Sequence, residues 1–301
     1  YHASLFFLKK NYHVIGLDNI NSYYDVNLKK TRIKILKKDK NFTFYKVDLK
    51  NKKELNQIFQ NNNIQIVINL AAQAGVRNSI NNPKIYLESN IIGFFNLIEL
   101  VREYKIKRFI FASTSSVYGN QSVNKFKEYL NTDNPIQFYA ATKKSNEVMA
   151  HSYSNIYKLP CTGVRFFTVY GPFGRPDMLL LKIMTNLTYQ KKINVYNFGE
   201  HFRDFTYIDD VVDIVFKISK LLNNKINLFN VCASNPLKIS NVINLIKRNQ
   251  KKKMQLNYLK KRKGEMHITY GSNLKLIKFI KKYKFTKFDV GYKKTSTWFK
   301  K

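Results

Sequence analysis

The chain has 301 residues, 44% apolar and 24% charged, and its Lys and Arg outnumber Asp and Glu by 53 to 19, a formal charge of +34. That apolar fraction excludes a wholly disordered chain, and the length suits one large α/β domain or two modest ones. Two cysteines, Cys161 and Cys232, exclude a disulfide-stapled scaffold and fit a reducing, cytoplasmic compartment.

Short β-branched and aromatic runs alternate with longer amphipathic stretches, the pattern of a parallel sheet covered by helices. In chain order the sequence predicts a helix over Ser4–Lys10, a strand over His13–Asp18 and a helix over Leu28–Lys37. A strand over Phe42–Asp48, a helix over Lys52–Gln60 and a strand over Ile64–Leu70 come next. The series closes with a helix over Ile85–Tyr104, a strand over Arg108–Ser113, a helix over Gln137–Lys158 and a strand over Gly163–Thr168. After Phe166 the alternation weakens and loops lengthen, which predicts a dinucleotide-binding domain over 1–166 and a smaller substrate lobe over 167–301. A strand near Ile226–Ala233 is expected to return to the main sheet. There are no repeats and no low-complexity segment apart from Lys-rich patches such as Lys251–Lys253. No run of 18 apolar residues marks a spanning helix, and the opening YHASLFFLKK has no basic segment ahead of it, so it does not read as a signal peptide.

A doubly wound fold that binds a dinucleotide opens with a strand and a Gly-rich turn. The sequence begins at what reads as the first helix, so that strand and turn are expected to be missing. Asp18 ends the next strand, where such folds place the acid that takes a ribose.

The charge alone matches a nucleic-acid binder, but Lys outnumbers Arg by 44 to 9, and base reading relies on the Arg fork. From Lys238 to Lys301 there are 20 basic and 2 acidic residues, which read as a solvated surface able to steer an anionic ligand. Nucleic acid is therefore not the expected partner.

Tyr139-Ala140-Ala141-Thr142-Lys143 opens a predicted helix and puts Tyr and Lys one turn apart on one face. Upstream, the strand ending at Ala112 runs into Ser113-Thr114-Ser115-Ser116-Val117-Tyr118-Gly119. Hydroxyls at the C-terminal end of a parallel strand face the crevice where such sheets bind ligands.

Together these segments resemble the extended short-chain dehydrogenase/reductase family, and more closely its nucleotide-sugar epimerases. The resemblance also rests on Gly16-Leu17-Asp18-Asn19, Val47-Asp48-Leu49 and Leu70-Ala71-Ala72-Gln73-Ala74-Gly75-Val76-Arg77. It continues through Arg165-Phe166-Phe167-Thr168-Val169-Tyr170-Gly171-Pro172, Gly174-Arg175-Pro176-Asp177 and Arg203-Asp204-Phe205-Thr206-Tyr207-Ile208-Asp209-Asp210. It implies a Rossmann-like doubly wound α/β fold, bound NAD, and 4-epimerisation of a UDP-sugar through a transient 4-keto intermediate. It also implies a homodimer packed through the helices over Ile85–Tyr104 and Gln137–Lys158.

By the same resemblance Asp18, with Asn19 beside it, takes the adenosine ribose, and Asp48 and Leu49 take the adenine edge. Ala71, Ala72 and Asn90 line the cofactor, and Lys143 bridges to the nicotinamide ribose. Tyr139 is the implied base and Thr114 its hydroxyl partner. A free Tyr titrates near 10, so the Lys143 ammonium and the positive nicotinamide are expected to favour its phenolate.

The family's sugar dehydratases carry an Asp-Glu pair after the Thr, which Ser115-Ser116 replaces here, so dehydration is not expected. Thr114, Ser115, Ser116 and Thr168 suit a sugar carboxylate, with Arg175 as its charge-assisted partner. UDP-glucuronate is therefore the expected substrate and UDP-galacturonate the product, with a UDP-hexose or UDP-N-acetylhexosamine epimerase, or a truncated inactive epimerase homologue, as alternatives. Arg203 is expected on the diphosphate and Arg77 near the same groups. Arg262-Lys263-Gly264-Glu265 matches the family's Pro-Gly-Asp diphosphate motif only loosely, so Arg262 is given no role. The five histidines have no metal-like spacing, and no metal is expected.

Overall fold

The computed structural model describes residues 1–220, 226–249, 254–262 and 264–300; the Lys251–Lys253 patch and Lys263 lie outside them. Helix α1 (His2–Leu8) leads to strand β1 (Val14–Leu17), helix α2 (Val26–Leu36) and strand β2 (Phe42–Tyr45). Local chemistry sets these limits. Asp25 caps α2 by accepting from the Asn27 amide, and Asn51 caps α3 (Lys52–Gln60) by accepting from the Glu54 amide. Leu55, Ile58 and Phe59 then form the buried stripe of α3, at the spacing a helix needs.

Strand β3 (Ile66–Asn69) is followed by the short helices α4 (Asn78–Asn81) and α5 (Pro83–Tyr86). The helix expected over Ile85–Tyr104 is not continuous. Past α5 a π-helical turn over Leu87–Ile92 passes into α6 (Gly93–Glu103). The close approach of the Asp48–Lys50 segment accounts for this: a Cβ on Gly93 would stand 2.8 Å from that of Leu49. Asn96 donates to the carbonyls of Leu49 and Lys50. A π turn shifts the helix register locally to admit such contacts.

Strand β4 (Arg108–Thr114), helix α7 (Phe138–Tyr157) and strand β5 (Cys161–Phe166) complete the first half. The single strand expected over Gly163–Thr168 splits, because after Phe166 the chain leaves the main sheet. Strand β6 (Thr168–Tyr170) pairs instead with β8 (Phe202–Tyr207). Between them lie α8 (Leu179–Thr188) and β7 (Ile193–Tyr196). Helix α9 (Ile208–Lys220) and strand β9 (Asn227–Val231) return to the main sheet, where β9 pairs with β5. The rest comprises β10 (Pro236–Lys238), α10 (Ile239–Arg248), β11 (Leu256–Leu259), β12 (Ile268–Thr269), α11 (Leu274–Ile280) and α12 (Phe288–Phe299).

Strands β3-β4-β5-β9 form one parallel sheet and β1-β2 a parallel pair. The fold is α/β and doubly wound, as β4 shows: Phe109 and Phe111 pack with α3 and α6, while Ile110 packs on the other face with Val211 and Ile214 of α9. A separate apolar core joins Leu180 and Ile183 of α8 to Phe205 of β8 and Ile243 of α10. Residues past Phe166 thus divide among cores: α9, β9 and α11 pack on the main sheet, α8, β8 and α10 form the separate core, and Phe167, Cys232 and Met266 pack with Tyr118 and Phe126. Among the described residues no helix is long and apolar enough to cross a membrane.

One buried polar knot fixes the middle of this fold. Arg165 of β5 grips Glu147 of α7 through two bonds of 2.8 and 2.7 Å, with both side chains almost wholly inaccessible. Ser113 of β4 donates to the same carboxylate at 2.5 Å. The Tyr118 hydroxyl accepts from Arg165 and donates to Asn230. Leaving one charge of a buried pair alone is costly, so Glu147→Ala is expected to lower unfolding stability by about 3–5 kcal/mol. Urea denaturation followed by circular dichroism measures it.

Candidate active site

A cleft of about 1070 Å³ opens where the parallel strands end, between the main sheet and the second core. Thr114 is the last residue of β4; its Oγ1 accepts from the Ser116 amide and donates to the Ser116 hydroxyl, capping a 3-10 turn over Ser115–Tyr118. Tyr139 and Lys143 enter from the first two turns of α7. Thr168 enters from β6, and Arg175 from the loop ahead of α8. Arg77, Ala72 and Arg203 line the same cleft, with Ser115 and Ser116 beside Thr114.

Asp18, Asn19, Asp48, Leu49 and Ala71 stand outside that lining, beyond the C-terminal ends of β1, β2 and β3. Asp48 accepts from Asn19 and from the Lys50 amide, and Asp18 accepts from the Ile20 amide. Asn90 is buried and fully engaged: it accepts from the Gln73 amide and donates to the Gln73 carbonyl and the Thr142 hydroxyl. It fastens the β3 loop to α7 and does not face the cleft.

Burial pushes the Tyr139 phenol up, and the Arg175 charge and the Thr114 hydroxyl pull it back down. The Lys143 ammonium donates to the Ala112 carbonyl at 2.9 Å, and burial brings its own pKa down to about 8. The Tyr86 ring stands edge-on to Tyr139, with centroids 6.2 Å apart. Tyr86 donates to the carbonyls of Ala74 and Gly75, and Gly75 is required there by its φ of +101 and by the Tyr23 hydroxyl where a Cβ would sit.

Several cleft residues escaped the sequence reading. Arg262 lies over the Tyr196 ring, 3.2 Å from its centroid, and bonds Glu265 at 2.7 Å. Arg203 stands next to this pair, donating to the carbonyls of Met266, Phe202 and His267. Arg262 Nε, Glu265 Oε2, His201 Nε2 and Thr269 Oγ1 are buried without a hydrogen-bond partner. All four side chains line the cleft, so its far end is built for a polar ligand. The degraded Arg-Lys-Gly-Glu run was the only signal for them. A second cleft, of about 1160 Å³, is lined in part by α7, and its buried charged groups, Glu147 and Arg165, satisfy each other.

Residues 2–232 match the NAD dependent epimerase/dehydratase family. Protein CapI of Staphylococcus aureus is 42% identical over 288 residues, spanning 90% of this chain and 86% of that one. A UDP-glucuronate 4-epimerase of Thermodesulfobacterium geofontis is 40% identical over 296 residues, 98% of this chain and 91% of that one. The solved structure of the UDP-glucuronic acid 4-epimerase from Bacillus cereus, in complex with UDP-glucuronic acid and NAD, superposes with a TM-score of 0.93. It covers 99% of this chain and 95% of that chain at 30% identity.

The lowered Lys143 pKa has a consequence for stability. Between about 8 and the ordinary 10.5 the unfolded chain holds a proton on this amine that the folded chain has lost. Stability from this group therefore rises with pH across that window, by on the order of 3 kcal/mol. Denaturation of the wild type at pH 7.5 and pH 10 is expected to show that gain, and Lys143→Met to lack it.

Proposed function

The chain belongs to the NAD dependent epimerase/dehydratase family, and on that premise we propose that it interconverts UDP-glucuronate and UDP-galacturonate by inversion at C4. The observation that carries this reading is Arg175, whose charge acts on Tyr139 in the cleft that the hydroxyls of Thr114, Ser115 and Ser116 also line. A cation and a row of hydroxyls beside a phenol suit a sugar that bears both a reacting hydroxyl and a carboxylate.

The described residues fit NAD by their donor chemistry: Asp18 and Asp48 offer carboxylate acceptors at adjoining strand ends, and Lys143 a cation deeper in the cleft. When bound, NAD would supply the oxidation and the return reduction at C4 and be regenerated in each turnover. Tyr139 removes the 4-hydroxyl proton and later returns it, and Thr114 donates to the phenolate. Ser115, Ser116, Thr168 and Arg175 hold the carboxylate. Arg203 and Arg262 hold the diphosphate, with Arg77 near it. Charges therefore grip the nucleotide end, whereas mostly neutral hydroxyls meet the sugar ring. That division lets the 4-keto sugar turn over without releasing its anchor.

A homodimer accompanies this reading. Leu87, Ile92 and Phe95 on one helical stretch, and Val148, Ile156 and Tyr157 on α7, expose large apolar surfaces on elements that pack together. The Phe95→Glu, Val148→Glu double variant is expected to sediment as a monomer where the wild type sediments as a dimer. A cytoplasmic setting also fits, since Cys161 and Cys232 are both buried and free.

The direct test incubates the chain with NAD and UDP-glucuronate and separates the product sugars. UDP-galacturonate is expected to form, and Tyr139→Phe to reduce its rate by about 10²–10⁴-fold. Arg175→Ala is expected to lose activity on the acidic sugar alone. Equal loss on UDP-glucose or UDP-N-acetylglucosamine would instead assign a neutral UDP-hexose or UDP-N-acetylhexosamine as substrate.

A further inference from the structure

We propose that Asp177 is a positioning residue that aims Arg175 at the sugar carboxylate and thereby sets the preference for an acidic over a neutral sugar. The inference rests on the UDP-glucuronate reading above.

Arg175-Pro176-Asp177-Met178 is a turn closed by the Met178 amide on the Arg175 carbonyl at 3.1 Å. Pro at the second position fixes that residue's φ and favours this geometry. The turn brings the two charged side chains together. Asp177 Oδ1 accepts from Arg175 Nε and Oδ2 from Nη2, each at 2.9 Å. This uses one edge of the guanidinium, the Nε and Nη2 side. The remaining Nη2 contact is the Met178 sulfur at 3.5 Å, and Nη1 has no hydrogen-bond partner among the described residues. Nη1, with both its N–H groups, is therefore left for another carboxylate, which can form a bidentate pair by displacing the long Nη2 contact to the Met178 sulfur.

The Arg175 guanidinium belongs to the catalytic cleft, and its charge acts on Tyr139 and Tyr23. The base of the loop is fixed from the far side: Arg32 of α2 donates to the carbonyls of Phe173 and Gly174, and its other nitrogen to the Tyr24 hydroxyl. An unrestrained Arg loses considerable rotamer freedom when it binds a carboxylate. Asp177 removes that freedom before the sugar arrives. It does so without occupying Nη1, so it acts as a guide and not as a competitor.

The test compares wild type, Asp177→Ala and Asp177→Asn, each loaded with NAD. It reads KM and kcat for UDP-glucuronate, and calorimetric affinities for UDP-glucuronate, UDP-glucose and UDP. Asp177→Ala is expected to raise the UDP-glucuronate KM about tenfold, with kcat changed less than about threefold, as one charge-assisted contact loses its alignment. Asp177→Asn, which keeps the shape and one acceptor, is expected to fall between. Affinity for UDP-glucose and UDP is expected to stay at the wild-type value in both variants, which a misfolded loop would not allow. Tighter UDP-glucuronate binding in Asp177→Ala would make Asp177 a competitor and overturn the proposal. Equal weakening for all three ligands would overturn it in favour of a purely structural role. A wild type that binds UDP-glucuronate no better than UDP-glucose would remove the underlying substrate assignment, and this inference with it.

Discussion

The site depends first on the buried carboxylate of Glu147. It sits on the same face of α7 as Tyr139 and Lys143, two and one helical turns further along. One of its oxygens takes both Ser113 of β4 and Arg165 of β5, and the other takes Arg165 again. Those residues lie side by side in the parallel ladder, Ser113 opposite Arg165 and Thr114 opposite Phe166. A single ion pair thus fixes the helix that carries the base against the strand end that carries its hydroxyl partner. Taking two charges out of water gains little net stability over an apolar replacement. What it supplies here is a fixed distance between Tyr139 and Thr114, which packing of interchangeable apolar side chains would define less sharply.

The rest of the cleft is attached to this clasp by departures from regular structure. The π turn at Leu87–Ile92 admits the Asp48–Lys50 segment against Gly93, and within it Asn90 ties the β3 loop to Thr142 of α7. The break after Phe166 sends Thr168 away from the main sheet and toward β8. The same diversion starts the loop that carries Arg175, so two of the four groups assigned to the sugar carboxylate owe their place to one interruption of a strand. Beyond them Arg203 and Arg262 form a cationic end, set apart from the hydroxyl-lined middle. A surface with excess positive charge draws anionic nucleotides toward such a cleft, independently of what holds them there.

Much of this was legible in the sequence because it depends on local pattern. Helix α3 falls on Lys52–Gln60 as its apolar spacing and Asn cap require, and β4 differs from the expected bounds by one residue at one end and α7 by one residue at each end. The hydroxyl run after β4 and the Tyr-Lys pair on α7 do line one cleft. What periodicity could not show were the interruptions, since Leu87–Ile92 continues the helical apolar pattern and Thr168 continues the strand. Nor could spacing show which way a flexible side chain turns. Lys143 is one turn from Tyr139 as expected, and its ammonium is bonded to the Ala112 carbonyl, while Arg175, distant in sequence, adds a further charge that lowers the phenol. Arg262 and Glu265 were missed because a short motif altered at two of its positions carries too little information without the cleft around it.

The central claim is that C4 is oxidised and re-reduced within one closed site while Tyr139 exchanges only the hydroxyl proton. UDP-glucuronate carrying deuterium on C4, turned over in ordinary water, tests it most directly. The account predicts UDP-galacturonate that keeps its deuterium at C4. Product with hydrogen from water at that carbon would contradict it, because inversion would then proceed by loss of a proton from carbon and not by transfer within the site.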